Sequence, residues 1–118
     1  MEKKNIDWSS IGFAYMPTDY RYVSNFKDGK WDEGTLSTDP NIVLNECAGV
    51  LQYSQSVFEG LKAYTTEDGH IVTFRPDLNA ERMAASAARL EMPVFPKERF
   101  IDAVEQVVKA NAAWVPPY

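Results

Sequence analysis

The sequence predicts an α+β domain in which a mixed or antiparallel sheet packs against two main helices. The first half of the chain contains short aromatic or β-branched runs separated by turn-forming residues, a pattern typical of strands. The second half contains two stretches whose apolar residues recur at helical spacing. The chain has 118 residues, of which 45% are hydrophobic and 25% charged. This size and composition predict one globular domain with a hydrophobic core.

The strands of the first half are predicted at residues 11–15, 20–26 and 42–44. The sequences MPTD, KDGKWDEG and STDP interrupt these runs, and each is rich in residues that favour turns. The three runs are therefore interpreted as strands joined by turns.

A β-hairpin is predicted where residues 60–66 and 70–75 flank the sequence EDG. Asp68 and Gly69 are both able to adopt the positive φ angles that a tight hairpin turn requires. The two flanking segments are thus expected to pair as antiparallel strands of the sheet.

Two helices are predicted in the second half. Asn79 is expected to cap the first, because its side chain can accept a bond from an amide of the first turn, and Met83, Ala87 and Leu90 follow at helical spacing. The second covers residues 97–111, where an apolar stripe lies opposite a largely charged face. Both helices are expected to pack on the sheet.

The charge and composition exclude several kinds of partner and site. A net charge of −5 without a basic stripe argues against nucleic acid and anionic membranes as principal partners. No apolar run has the length of a membrane span or the form of a signal peptide, so the cytoplasm is the simplest location. The chain has one cysteine, Cys47, and one histidine, His70, which predicts neither a disulfide nor a metal site.

Arg75 ends the run IVTFR and directly precedes Pro76, which favours an extended backbone at Arg75. An arginine at the end of a rigid strand can present its planar fork of donors to a phosphate or a carboxylate. The alternative is a surface salt bridge with a nearby Glu or Asp. On local sequence alone both interpretations stand.

Tyr53, Phe58 and Gly60 form an unusual group in the segment LQYSQSVFEGLKAY. Aromatic residues in an apolar stretch are commonly the buried face of a short helix. They are also suited to line an apolar ligand pocket, because aromatic rings give broad, rigid contact. Gly60 would allow the backbone to lie close to a ligand.

Residues 53–116 resemble the small domain of the branched-chain aminotransferases, which are pyridoxal-phosphate enzymes with the D-amino-acid-aminotransferase type of fold. The matching segments are YSQSVFEGLKAY, FRPDLNAERMAASAARLEMP and WVP. Upstream, FAYMPTDY resembles a diverged form of another family segment, with Ala14 and Tyr20 in place of the usual Gly and His. The resemblance implies a cofactor, pyridoxal 5'-phosphate, and a homodimer.

The resemblance also implies roles for individual residues. Tyr53 and Phe58 match aromatic residues that line the pocket for the substrate's aliphatic side chain, and the tyrosine is directed towards the partner subunit's site. Gly60 belongs to the same substrate-binding segment, and Phe13 matches an upstream pocket phenylalanine. Arg75 matches the arginine that binds the cofactor phosphate.

The implied reaction moves the amino group of leucine, isoleucine or valine to 2-oxoglutarate, giving branched 2-oxo acids and glutamate. None of the lysines here matches the family's Schiff-base lysine, which lies in a second, larger domain. Residues 1–118 are therefore expected to be the N-terminal small domain of a larger enzyme, inactive alone and without a catalytic residue. The alternatives are a D-amino-acid aminotransferase, an aminodeoxychorismate lyase, or a binding module without catalysis.

Overall fold

The computed structural model describes residues 1–118 and has the predicted α+β class. Its six strands are β1 (Arg21–Val23), β2 (Phe26–Lys27), β3 (Lys30–Trp31), β4 (Thr35–Ser37), β5 (Ala63–Thr65) and β6 (Ile71–Thr73). Its α-helices are α1 (Gly49–Tyr53), α2 (Pro76–Arg89) and α3 (Lys97–Ala110). Short 3₁₀ turns lie at Trp8–Ser10 and Ala112–Trp114.

The strands form three separate two-stranded antiparallel ladders, and not one sheet. β1 pairs with β4, β2 with β3, and β5 with β6. The predicted strands at residues 11–15 and 42–44 are wrong, because both segments are unpaired loops. A strand needs a partner for its backbone groups and a surface to cover, and β-branched or aromatic composition supplies neither.

The hairpin prediction is confirmed, with one correction to its turn. β5 and β6 pair with Ala63 opposite Thr73, and the Thr66 amide donates to the His70 carbonyl at 2.7 Å. This bond closes a three-residue loop in which Gly69 alone has a positive φ, +86°. Asp68 does not adopt the left-handed conformation, because a three-residue loop requires it only at the final position.

The two main helices pack against each other. Ala80 and Ala87 of α2 are buried, and such small side chains allow another element to approach the helix closely. Ala112 and Val115, which follow α3, complete the set of fully buried residues. The fully buried residues of the domain thus lie in α2 and just after α3, whereas α3 itself contains none.

Helix α2 begins earlier than predicted. Its first residue is Pro76 and its N-cap is Arg75, so Asn79 lies inside the first turns and does not cap the helix. Proline is favoured at the first helical position because that position needs no amide donor and the ring presets φ. Because the Asn79 side chain does not cap α2, it is free to form hydrogen bonds with residues outside this helix.

The domain exposes much more surface than a compact monomer of its size. Its accessible surface is 9115 Å², whereas a folded monomer of this mass exposes about 6,500 Å². Its radius of gyration is 15.9 Å, against about 13.5 Å for a compact domain of this length. Large apolar side chains supply much of the excess, among them Phe13, Val43, Tyr53, Phe58 and Phe74. No helix is both long and apolar enough to cross a membrane.

Candidate functional site

The segment that follows α1 presents its aromatic side chains to solvent. α1 ends where Ser54 turns into the left-handed region at φ 53°, and residues 54–62 then run without regular structure to β5. Tyr53 is 86% exposed and Phe58 94% exposed, and α1 has no buried residue. The segment is therefore not the packed core helix that an apolar stretch commonly forms.

The predicted site residues do not form a closed pocket within this chain. Phe13 is fully exposed, and neither it nor Tyr53, Phe58, Gly60 or Arg75 lines any of the five main clefts. The largest cleft, about 850 Å³, instead lies beside β5, and its walls include Trp8, Tyr64 and Tyr118. A pocket formed by the three aromatic residues would need walls from outside these residues.

Gly60 has no intramolecular reason to be glycine. Its φ is not positive, and a β-carbon built on it would meet no atom within 4 Å. The open space beside its backbone is available to a group that this chain does not supply.

The carboxylate of Glu59, between Phe58 and Gly60, joins this segment to α2. The Glu59 side chain is 6% exposed, and it accepts hydrogen bonds from Arg82 Nε at 2.8 and 3.1 Å and from Asn79 Nδ2 at 3.1 Å. Arg82 Nη2 completes the ion pair. Asn79 Nδ2 also donates to the Gly60 carbonyl at 3.0 Å. We call Glu59, Asn79 and Arg82 the Glu59 cluster.

Sequence reasoning did not find the Glu59 cluster. The available signal was the spacing of Asn79 and Arg82, which lie three residues apart and therefore share one face of a helix. Two polar residues on one face indicate a face that meets a polar partner or solvent. Nothing in the local sequence identifies Glu59, twenty or more residues away, as that partner.

Acidification is expected to weaken the attachment of residues 54–62 to α2. The hydrogen bond from Arg82 is the main cause that lowers the pKa of Glu59 from 4.5 to about 2. A lowered folded-state pKa adds stability that is fully present above the unfolded value, and that stability is lost as the pH falls from 4.5 towards 2. Thermal unfolding at a series of pH values should show a smaller acid loss for Glu59→Gln than for the unsubstituted chain. Equal losses would contradict the assignment.

Arg75 has a different backbone from the extended one predicted for it. Its φ and ψ are +48° and +55°, in the left-handed region, which is uncommon for a residue with a β-carbon. The residue is the N-cap of α2, so the chain must reverse there between β6 and the helix. The preference for extended backbone before proline yields to this reversal.

The Arg75 side chain pairs with Asp77 in the first turn of α2. Nε donates to Oδ1 at 3.0 Å and Nη2 to Oδ2 at 2.7 Å, and this pairing lowers the pKa of Asp77 to about 2 and raises that of Arg75. Nη1 makes no hydrogen bond within the chain, and the side chain is about half exposed. The predicted salt bridge therefore exists, and it leaves one edge of the guanidinium available to an anion.

The site residues thus comprise exposed aromatic side chains, a glycine with open space beside its backbone, and a half-exposed arginine at the N-cap of α2. The comparisons with known proteins agree with the resemblance noted in the sequence. The chain is 52% identical to the branched-chain-amino-acid aminotransferase of Haemophilus influenzae over 115 residues, which is 98% of this chain and 34% of that protein. It is 43% identical to the enzyme of that name from Helicobacter pylori over 115 residues, which is again 98% of this chain and 34% of that protein.

A methionine aminotransferase of Arabidopsis thaliana is 46% identical over 114 residues, or 96% of this chain and 32% of the relative. No protein-family model matches the chain. The chain is thus homologous to the branched-chain aminotransferases over nearly its whole length, and it spans about a third of the length of these curated relatives.

Proposed function

We propose that this chain is the N-terminal small domain of a pyridoxal-phosphate-dependent aminotransferase. The enzyme moves the amino group of leucine, isoleucine or valine to 2-oxoglutarate, giving branched 2-oxo acids and glutamate. The observation that carries the proposal is the 52% identity with a branched-chain-amino-acid aminotransferase across 98% of the chain. We further propose that the enzyme acts in the cytoplasm.

The residues at the start of α2 fit the phosphate of the cofactor. Arg75 offers an unengaged Nη1 on a half-exposed guanidinium, and guanidinium donors match phosphate oxygens in geometry and charge. Pyridoxal phosphate supplies an electron sink for the loss of the amino acid's α-proton. Arg75 holds the phosphate, and the lysine that takes part in the chemistry lies outside residues 1–118.

Phe13, Tyr53 and Phe58 form walls of the pocket for the aliphatic side chain. Their exposure supports this role, since an aromatic ring that packs on nothing in its own domain is free to contact a substrate or another subunit. Gly60 lets the backbone lie close to the substrate. The apolar character of the three walls suits leucine, isoleucine and valine, and it explains why no charged group of this chain is needed there.

The excess surface supports two partners, namely the large domain of the same polypeptide and a second copy in a homodimer. One side of an obligate interface buries about 1,000–2,500 Å². The domain exposes about 2,600 Å² more than a compact monomer of its mass. That excess matches two interfaces near the lower end of this range, and the exposed apolar side chains are of the kind that such interfaces cover.

The test is an assay of the full-length polypeptide that contains this chain, supplied with pyridoxal phosphate. We expect glutamate to form from 2-oxoglutarate when leucine, isoleucine or valine is the donor, and residues 1–118 alone to form none. Transfer from methionine or from D-amino acids in preference to all three branched donors would contradict the substrate assignment. A full-length protein without any transfer would favour the non-catalytic binding module.

A further inference from the structure

We propose that the Glu59 cluster is a positioning device, which sets the backbone at Phe58 and Gly60 from α2 and so fixes one wall of the substrate pocket. The inference rests on the proposed function, because it assigns the cluster a role in that site. Phe58 contacts the substrate, whereas Glu59, Asn79 and Arg82 act through it.

The low exposure of the Glu59 side chain distinguishes its ion pair from the others in the chain. In the five other pairs the acidic side chain is at least 30% exposed, against 6% for Glu59. Its partner Arg82 is 69% exposed, so only the carboxylate side of this pair is shielded from water. The hydrogen bonds that Glu59 accepts compensate the hydration that its side chain loses. Glu59 receives donors from two residues of α2, which restrict its position in more than one direction.

The cluster holds the two peptide groups that flank Gly60. The Gly60 amide donates to Glu59 Oε1 at 3.2 Å, and the Gly60 carbonyl accepts from Asn79 Nδ2 at 3.0 Å. Phe58 itself is almost fully exposed, and residues 54–62 belong to no helix or strand. A second hydrogen bond between this segment and the α2 region, from Gln55 Nε2 to the Leu90 carbonyl at 3.0 Å, lies at the opposite end of α2. The Glu59 cluster therefore fixes the backbone at Gly60, two residues after Phe58.

Helix α2 also relates the pocket wall to the proposed phosphate site. Arg75 is the N-cap of α2, and Asn79 and Arg82 share one face of the first turns that follow it. Because a helix is stiff over this distance, the phosphate ligand and the Phe58 wall are held at a fixed separation. This separation matters, since small misplacements of substrate relative to a cofactor greatly reduce rates.

The experiment uses Glu59→Ala, Glu59→Gln and Asn79→Ala in the full-length polypeptide, with Glu81→Gln as the matched control. Glu81 also lies on α2 and pairs with Lys97, and it makes no hydrogen bond to residues 54–62. We expect Glu59→Ala to raise KM for leucine by about tenfold or more, with affinity for pyridoxal phosphate unchanged. Glu59→Gln keeps an acceptor oxygen and should retain part of the function, and Glu81→Gln should behave as the unsubstituted enzyme.

Hydrogen exchange of the cofactor-free protein gives a readout that does not depend on activity. Residues 54–62 should exchange faster in Glu59→Ala and Asn79→Ala, while α3 remains protected. A folded Glu59→Ala variant with unchanged KM for leucine would overturn the proposal, as would unchanged exchange in this segment. If Glu59→Ala does not fold, KM for leucine and hydrogen exchange are compared in Asn79→Ala, which keeps the ion pair between Glu59 and Arg82. Absence of leucine transamination in the unsubstituted protein would refute the proposed function, and exchange would still decide whether the cluster orders the segment.

Discussion

Replacing Arg75 with alanine in the full-length enzyme is expected to weaken the binding of pyridoxal phosphate by about 10- to 150-fold, the loss typical of a hydrogen bond to a charged group. The variant removes the guanidinium whose Nη1 is unengaged within the chain and which can reach an anion. Arg75→Lys should restore only part of the affinity, because an ammonium supplies charge without the planar fork. Apparent cofactor affinity and thermal stability are to be measured in parallel.

Arg89→Ala is the matched control for this prediction, since Arg89 lies in the last turn of the same helix. The competing interpretation is that Arg75 serves only its ion pair with Asp77. It expects a slightly lower melting temperature with unchanged cofactor affinity, because exposed pairs contribute little to stability. That outcome would end the phosphate assignment. A loss of affinity in Arg75→Ala and not in Arg89→Ala is the result that separates the two interpretations.

The parts of the fold that could be predicted from the sequence are those with local causes. The bounds of helix α3 differ by one residue from the predicted range 97–111, because one short segment of sequence contains both its apolar stripe and its charged face. The β5–β6 hairpin could also be predicted from local sequence, since Gly69 supplies the positive φ that its loop needs. Both elements are formed by hydrogen bonds between residues that are close to one another in the sequence.

The errors concern features that depend on distant partners. Residues 42–44 have strand-like composition but no partner strand, and composition could not reveal that. The Glu59 cluster joins residues 20 and 23 positions apart, so it appears only when α2 lies beside the segment. Arg75 is the clearest case, because the local preference before proline is correct in general. It yields here to the sharp reversal between β6 and α2.

Replacing Phe58 with alanine is expected to lower kcat/KM for leucine by about tenfold or more without lowering the stability of the domain. Phe58 is 94% exposed, so its truncation opens no cavity in the domain. In the assembled enzyme the same ring forms a wall of an apolar pocket, where even one methylene changes discrimination by about tenfold or more. The loss should be greater for leucine than for 2-aminobutyrate, whose shorter side chain covers less of the wall. Steady-state kinetics with both substrates measures this ratio.

Val43→Ala is the control for Phe58→Ala, because Val43 is equally exposed and has no assigned role in the site. It should leave both kinetic ratios and thermal stability unchanged. If Phe58→Ala instead lowers kcat/KM for leucine and 2-aminobutyrate by the same factor, the ring does not sense the length of the aliphatic side chain. The pocket assignment would then be wrong, and the exposure of Phe58 would be explained by a subunit or domain interface alone, since loss of an interface contact weakens the assembled site for every substrate alike.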